Sequence, residues 1–215
     1  MTQHLYGRMY LTAYDTAAHD LYDRTRTGFL LRAAVLAELA IRGNVVESDG
    51  NVSAARPGPT GDPVLDLALG HIAQDRRGWK SWIRHDRKET LHAVEDRLVA
   101  QGVLDVAERT KPFGRTRRVV TVRDASAVTS LQATATGFLH GTGPVEQIDP
   151  ADAALVALAA AGSIRSVVSR ADAHARKHRI EELTARLDTL APGLGKAIGG
   201  LGVTMVAAQG GMGGG

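Results

Sequence analysis

Cysteine is absent from the 215 residues, which excludes disulfides, thiolate metal sites and a cysteine nucleophile. Aromatic residues are scarce at 4%, and the abundance of alanine favours close-packed helices over a large sheet. No apolar run approaches the roughly 18 residues of a membrane span; the longest, Ala153–Ala161, has about half that length. The start, MTQHLYGRMYLTAYD, lacks the apolar core of a signal peptide, so a cytoplasmic protein with at most peripheral membrane contact is expected. Catalytic signatures are missing as well: there is no GxSxG, no Walker loop and no recurring His/carboxylate pair. No enzyme activity, cofactor or metal site is therefore expected.

What is present suits a soluble globular chain with a real core: 44% hydrophobic and 23% charged residues. The net charge is only +3, but the pI of about 9.4 and the arginine excess imply local basic patches suited to phosphates. Punctuation by Gly, Pro and Asp predicts helices over 27–42, 62–74, 78–85, 88–101, 126–140, 149–161, 172–190 and 194–208. A short hairpin over 44–54 turns at Asp49-Gly50. A basic hairpin runs from Val103 to Val122 with its tip at Lys111-Pro112-Phe113-Gly114. The segment before Asp23 holds all four tyrosines and stays unassigned, because Gly7 and the strand-like MYLTAY oppose the helical spacing of Tyr6, Tyr10 and Tyr14. The reading is mainly α: one compact helical domain over 1–209 with a protruding basic β-hairpin, a second short hairpin, and a disordered Gly-rich tail at 210–215.

Arg32 is the most informative placement. It interrupts TGFLLRAAVLAELAIRG, and Phe29, Val35, Leu36 and Leu39 all fall within about 60° of it on a helical wheel. A guanidinium there must meet a carboxylate such as Glu38, snorkel to water, or line an anion pocket. Further cations cluster at Arg24/Arg26, at Arg84/Arg87/Lys88, and at Lys111/Arg115/Arg117/Arg118 around Pro112-Phe113. A Phe-tipped basic hairpin suits insertion at a bilayer interface; it equally suits the wing of a winged-helix nucleic-acid binder. The preceding helices lack the short turn and the Arg/Asn-rich recognition face of the latter. His174 and His178 have metal-ligand spacing, but interleaved Arg176, Lys177 and Arg179 repel cations, and the remaining histidines are scattered. Gly193–Gly199 (GLGKAIG) follows no strand and reads as a Gly-rich helix start.

Four stretches carry a family resemblance: FLLRAAVLAELAIRG (29–43), PTGD (59–62) leading into VLDLALGHI, RLVAQGVL (97–104) before the basic hairpin, and ALVALAAA (154–161). In order and spacing the chain resembles the Golgi phosphoprotein 3 family, whose bacterial members are common in actinobacteria. The resemblance implies a mainly α-helical domain with a protruding hairpin. It also implies a peripheral membrane adaptor that binds phosphatidylinositol 4-phosphate, or another anionic lipid head group, in a basic pocket. Eukaryotic members retain Golgi glycosyltransferases, so membrane-protein tails are implied partners; homo-oligomers are a further expectation, and nucleic acid is not expected as a partner. Arg32 falls on the family's first pocket arginine, Lys88 and Leu91 on the other two. Arg84 or Arg87 could restore the missing charge after a shift in helix register. Asp23 takes the place of the pocket tryptophan, with Tyr22 beside it as an alternative aromatic wall. Membrane contact would come from Lys111, Pro112, Phe113, Arg115 and Arg117.

Overall fold

A computed structural model describes residues 4–56, 58–110 and 116–210, with side chains described for all but 108–110, 116–118 and 206–210. Its centre is α2 (Arg24–Ile41), in which every residue from Thr27 to Ala40 is buried. A helix apolar all round can only be a core helix. Ala33, Ala34, Ala37 and Ala40 keep its surface shallow enough for α1 (Leu5–Thr12), α3 (Pro63–Gln74), α4 (Trp79–Arg84), α5 (Arg87–Ala100) and α7 (Pro150–Ala161) to pack around it. Asp23 caps its start through the Arg26 amide at 2.9 Å, and Gly43, at φ 67°, follows its last turn. Each fully buried Leu or Phe on this helix contributes about 1.5–3 kcal/mol, which is why so alanine-rich a chain still builds a core.

The second core helix, α7, starts at an Asp149 cap with Pro150 in its first turn and buries Ala153–Ala159 without interruption. It packs against α1, α2, α6 (Ala125–His140) and the pair formed by α9 (Lys177–Asp188) and α10 (Leu194–Gly199). The mainly α expectation holds, with sheets limited to two-stranded hairpins among the described residues. The hairpin of β3 (Val45–Ser48) and β4 (Asn51–Ala54) pairs Ser48 with Asn51 across Asp49 (φ 53°) and Gly50 (φ 79°), the positive-φ turn that Asp-Gly predicts. The long hairpin of β5 (Leu104–Thr110) and β6 (Thr116–Val122) is rooted in the core by Leu104 and Val120, while Val106 is exposed further along it.

Three elements depart from the sequence reading. The unassigned N-terminal segment is the helix α1, followed by a third hairpin, β1 (Tyr14–Asp15) with β2 (Asp20–Leu21). Tertiary anchoring explains it: Tyr6 and Tyr10 are fully buried and hydrogen-bond distant acids, which outweighs Gly7 and the β-prone MYLTAY. The helix expected over 172–190 is two, α8 (Arg170–Ala175) and α9, broken where Arg176 leaves helical geometry at φ −109°. No proline or glycine marks that break. The helix expected over 194–208 is likewise two, α10 and α11 (Leu201–Gly210), divided at the Gly199-Gly200 pair, where helix propensity is lowest.

Candidate functional site

The stretches that stood out in the sequence are joined by buried acids. Asp62, 1% exposed, closes the PTGD stretch and caps α3 through the Val64 and Leu65 amides at 3.0 and 3.2 Å. Its Oδ2 also accepts from the Tyr6 hydroxyl at 2.9 Å and from Arg97 Nε at 3.0 Å. Burial alone would raise this carboxyl, but the Tyr6 hydrogen bond, the capped amides and His4 hold it below the usual carboxylate range. Glu95 on α5 is fully buried and takes a fork from Arg24 at 2.8 and 3.0 Å together with the Tyr10 hydroxyl at 3.1 Å. Burial, then the Glu95 carboxylate, pushes the Tyr10 phenol well above its usual value. Glu38 accepts from the Leu5 amide at 2.9 Å and pairs with Arg42 at 2.6 Å. These acids clamp α1, α3 and α5 onto α2, and their role is architecture.

Arg32 differs from them. It is 2% exposed, and its Nε donates to the Trp82 carbonyl at 3.1 Å. Its Cζ is 5.8 Å from the Trp82 ring centroid, within cation–π reach. Nη2 is buried without a hydrogen-bond partner, and no carboxylate among the described residues forms an ion pair with it. Burial pushes the guanidinium down to about 10, against the opposing fields of Asp86 and Glu89. It is therefore still a cation at neutral pH. Glu38 serves Leu5 and Arg42 instead, and Asp23 caps α2 about 13 Å up the helix axis from Arg32. The carboxylate partner, one of the three alternatives the sequence left open for Arg32, is thus not found among the described residues.

Above Arg32 the first turns of α2 and α5 enclose a cavity of about 200 Å³ lined by Arg24, Thr25, Gly28, Arg87, Lys88, Leu91 and His92. Thr25, Gly28 and Arg32 share one face of α2 to within about 60°, so Arg32 continues the lining stripe into the core. Gly28 is what lets the helices meet, since a Cβ there would lie 2.9 Å from the Arg87 carbonyl oxygen. Arg24 is neutralised by Glu95. Half-buried Arg87 lies 4.5 Å over the Phe29 ring, and Lys88 is exposed; neither forms an ion pair among the described residues. Both sit in the first turn of α5, which Asp86 precedes in a left-handed conformation (φ 52°) without a side-chain cap. Cations at an uncapped helix N-terminus oppose the helix dipole, and the start of α5 meets the Asp23-capped start of α2 at this cavity. An anion would satisfy the free amides and both side chains together.

The predicted site residues are distributed unequally. Lys88 and Arg87 line the cavity, and so does Leu91, an apolar wall where a third cation was looked for. Arg32 is not among the lining residues and turns its guanidinium to Trp82. Arg84 is exposed on α4 and lines a separate cleft of about 840 Å³ with Trp79, Lys80 and Lys196, so it does not supply charge to this cavity. Tyr22 is 46% exposed and is not among the lining residues, which removes it as an aromatic wall. Arg24, Thr25 and His92 were overlooked as lining residues; the N-cap position of Asp23 was the available signal for the first two. Lys111, Pro112, Phe113 and Arg115 lie outside the described residues, and Arg117 is in β6 with its side chain outside them. The break at Arg176 separates His174 from His178, which is 86% exposed beside Glu182, so that pair is not a metal site. Gly193, in the left-handed region at φ 76°, starts α10 as a helix entry and holds no strand-borne loop.

No helix among the described residues is long and apolar enough to cross a membrane. No match was found among curated proteins. The model of the Golgi phosphoprotein 3 (GPP34) family matches residues 5–200, spanning α1 to α10 and both helices of the cavity, and the chain belongs to that family.

Proposed function

We propose that this protein is a peripheral membrane adaptor that recognises a phosphate-bearing anionic lipid head group in the cavity between α2 and α5. The observation that carries the reading is the pair of cations Arg87 and Lys88, without an ion pair among the described residues, in the uncapped first turn of α5, facing the start of α2. At about 200 Å³ the cavity is smaller than the roughly 300–1,000 Å³ of sites that enclose a whole ligand. It takes one phosphate and leaves the rest of a head group outside, as a membrane-borne ligand requires. Phosphatidylinositol 4-phosphate is the family's expected ligand; Leu91 in place of a third cation favours a looser preference among phosphorylated and acidic lipids. The hairpin residues Lys111, Pro112, Phe113, Arg115 and Arg117 would add interfacial contact at the cytoplasmic face of the membrane, each cation contributing about 1 kcal/mol near an anionic surface. Membrane-protein tails would then be the cargo, and binding without turnover the activity.

Co-sedimentation with vesicles tests this. Neutral phosphatidylcholine vesicles should leave the protein in solution, and vesicles containing phosphatidylserine or phosphatidylinositol 4-phosphate should pellet it with a steep salt dependence. Equal partitioning to neutral and anionic vesicles refutes the reading. Retention of a duplex DNA in a gel shift, with no vesicle binding, would transfer the same cations to a nucleic-acid function.

A further inference from the structure

His71 and His85 carry no motif in the sequence, and the fold brings them to one carboxylate. His71 is on the last turns of α3, His85 ends α4, and Asp86 opens α5. One ligand atom from each lies within 4.8 Å of the other two. Asp86 Oδ2 is 2.8 Å from His71 Nδ1 and closer still to His85 Nδ1. All three atoms are shielded from solvent, and none makes a hydrogen bond of acceptable geometry. A proton on either ring nitrogen would therefore point away from the oxygen beside it. Two imidazole nitrogens and a carboxylate oxygen crowded together with no donor directed between them form an arrangement that a cation at its focus satisfies.

We propose that His71, His85 and Asp86 form a binding site for a divalent late first-row transition metal, of which zinc is the representative. Imidazole and carboxylate are the donor set such ions prefer, and three protein ligands leave further positions to water. The side chains are 33%, 30% and 20% exposed although their three ligand atoms are shielded, so a small movement of the rings admits an ion and water. Bonds of about 2.1 Å in tetrahedral geometry separate ligand atoms by roughly 3.4 Å. The 2.8 Å gap to His71 must open by about half an ångström and the shorter one to His85 by about one, an adjustment that rotation about the soft terminal torsion of Asp86 supplies. The left-handed backbone of Asp86 (φ 52°) is what sets its carboxylate between the two rings, since its neighbours in sequence continue into α4 and α5. The His85 ring is fixed against the Trp82 edge at 5.4 Å and the His71 ring at 5.9 Å, so the donor set is largely preorganised.

The local field limits the affinity. Arg77 approaches the same Trp82 ring at 5.2 Å, but its charge is matched by Asp75 at 2.6 Å. Arg32 is not matched by an ion pair and lies within the field of Asp86. Its repulsion makes the expected binding weaker than that of a structural zinc site. The site ties α3 to the α4–α5 junction, so metal should stiffen the same junction that presents Arg87 and Lys88.

Titration of the untagged full chain with zinc chloride, followed calorimetrically and by competition with a chromophoric chelator, tests the assignment. One ion per chain is expected, with a rise in Tm of about 5–10 °C at a hundredfold excess over Kd. Cobalt loading should give the ligand-field bands of a low-coordinate nitrogen and oxygen site. His71→Ala, at a partly exposed helix position, should weaken binding at least thirtyfold while keeping the wild-type circular dichroism spectrum. Asp86→Asn should do the same, and His174→Ala/His178→Ala should bind as the wild type does. No saturable binding below millimolar zinc, or binding unchanged in His71→Ala, overturns the proposal. Loss of binding in the His174/His178 variant overturns it as well. None of these readouts involves vesicles, so a failed metal site leaves the lipid reading untouched and the reverse also holds.

Discussion

Asp62 and Arg32 are both almost completely buried charges, 1% and 2% exposed, and the protein treats them in opposite ways. Asp62 has two amides, a hydroxyl and a guanidinium around it, and its ionised form is favoured despite burial. Arg32 has one carbonyl and an aromatic face, and its ionised form is disfavoured. A buried charge with every partner in place holds helices together. A buried charge left short of partners is tolerated only where something else uses its field. The same contrast runs along α5. Its C-terminal half carries Glu95 and Arg97, both engaged by α1, α2 or α3, and its first turn carries Arg87 and Lys88, which form no ion pair among the described residues even with Glu89 beside them. Architecture and binding are thus separated on one helix by about two turns.

The largest effect expected is on the architectural side. Asp62→Ala removes the α3 cap and leaves the Tyr6 hydroxyl buried without its acceptor; Arg97, 31% exposed, can turn to water. A loss of about 3 kcal/mol in urea denaturation is expected. A loss under 1 kcal/mol would erase the distinction between the two charges. The pH dependence has a definite sign. The Asp62 carboxyl is held below its ordinary value, so its contribution is fully present above about pH 4. It is lost as pH falls through the folded value, because the unfolded chain takes up the proton first. Asp62→Asn should flatten that part of the acid limb when stability is measured between pH 6 and 3.

Lys88→Glu comes next, and it should move stability and binding in opposite directions. Replacing an exposed cation by an acid in the first turn of α5 suits the helix dipole and should stabilise by about 0.3–1 kcal/mol. The same reversal changes the cavity by two charge units, and binding to anionic vesicles should fall by about thirtyfold at low salt. A variant that is more stable and binds as before would remove the site from this cavity. Lys80→Glu, in the separate cleft with Arg84, is the matched control and should leave vesicle binding within about twofold.

The sequence made the architecture far more legible than the site. Asp62 and Asp149, each followed by Pro, announced the starts of α3 and α7, and Asp49-Gly50 announced its turn, because these signals act over three or four residues. The apolar run around Arg32 announced a core helix for the same local reason. Helix α1 was hidden because what holds it is remote: Asp62 and Glu95 are 56 and 85 residues from the tyrosines they bind. Tyr22 and Arg84 looked like pocket residues because they neighbour Asp23 and Arg87 in the chain. The helix entry at Asp23 and the left-handed turn at Asp86 direct them elsewhere. His71 and His85 were invisible as a pair, since only the α3–α4 packing brings them to Asp86.

The smallest effect, and the sharpest test of the contrast, belongs to Arg32→Met. The drop of this guanidinium from its ordinary value to about 10 corresponds to roughly 3 kcal/mol against the cation in the folded state. Methionine keeps most of the buried volume and removes that penalty, but it leaves the Trp82 carbonyl without its donor and gives up the cation–π contact. The opposing contributions nearly cancel, so Arg32→Met should lie within about 1 kcal/mol of wild type, where Asp62→Ala loses about three times that. The pH dependence isolates the charge. The folded state gives up the Arg32 proton near pH 10 and the unfolded chain only at higher pH, so the wild type gains stability relative to Arg32→Met as pH rises through 10. Vesicle binding then says how the field is used. A guanidinium acting from behind the cavity should contribute two- to threefold in affinity, well below Lys88→Glu. A loss as large as that of Lys88→Glu would mean that the phosphate descends between α2 and α5 to reach Nη2 itself, and that the lone partner missing from this buried charge is the ligand.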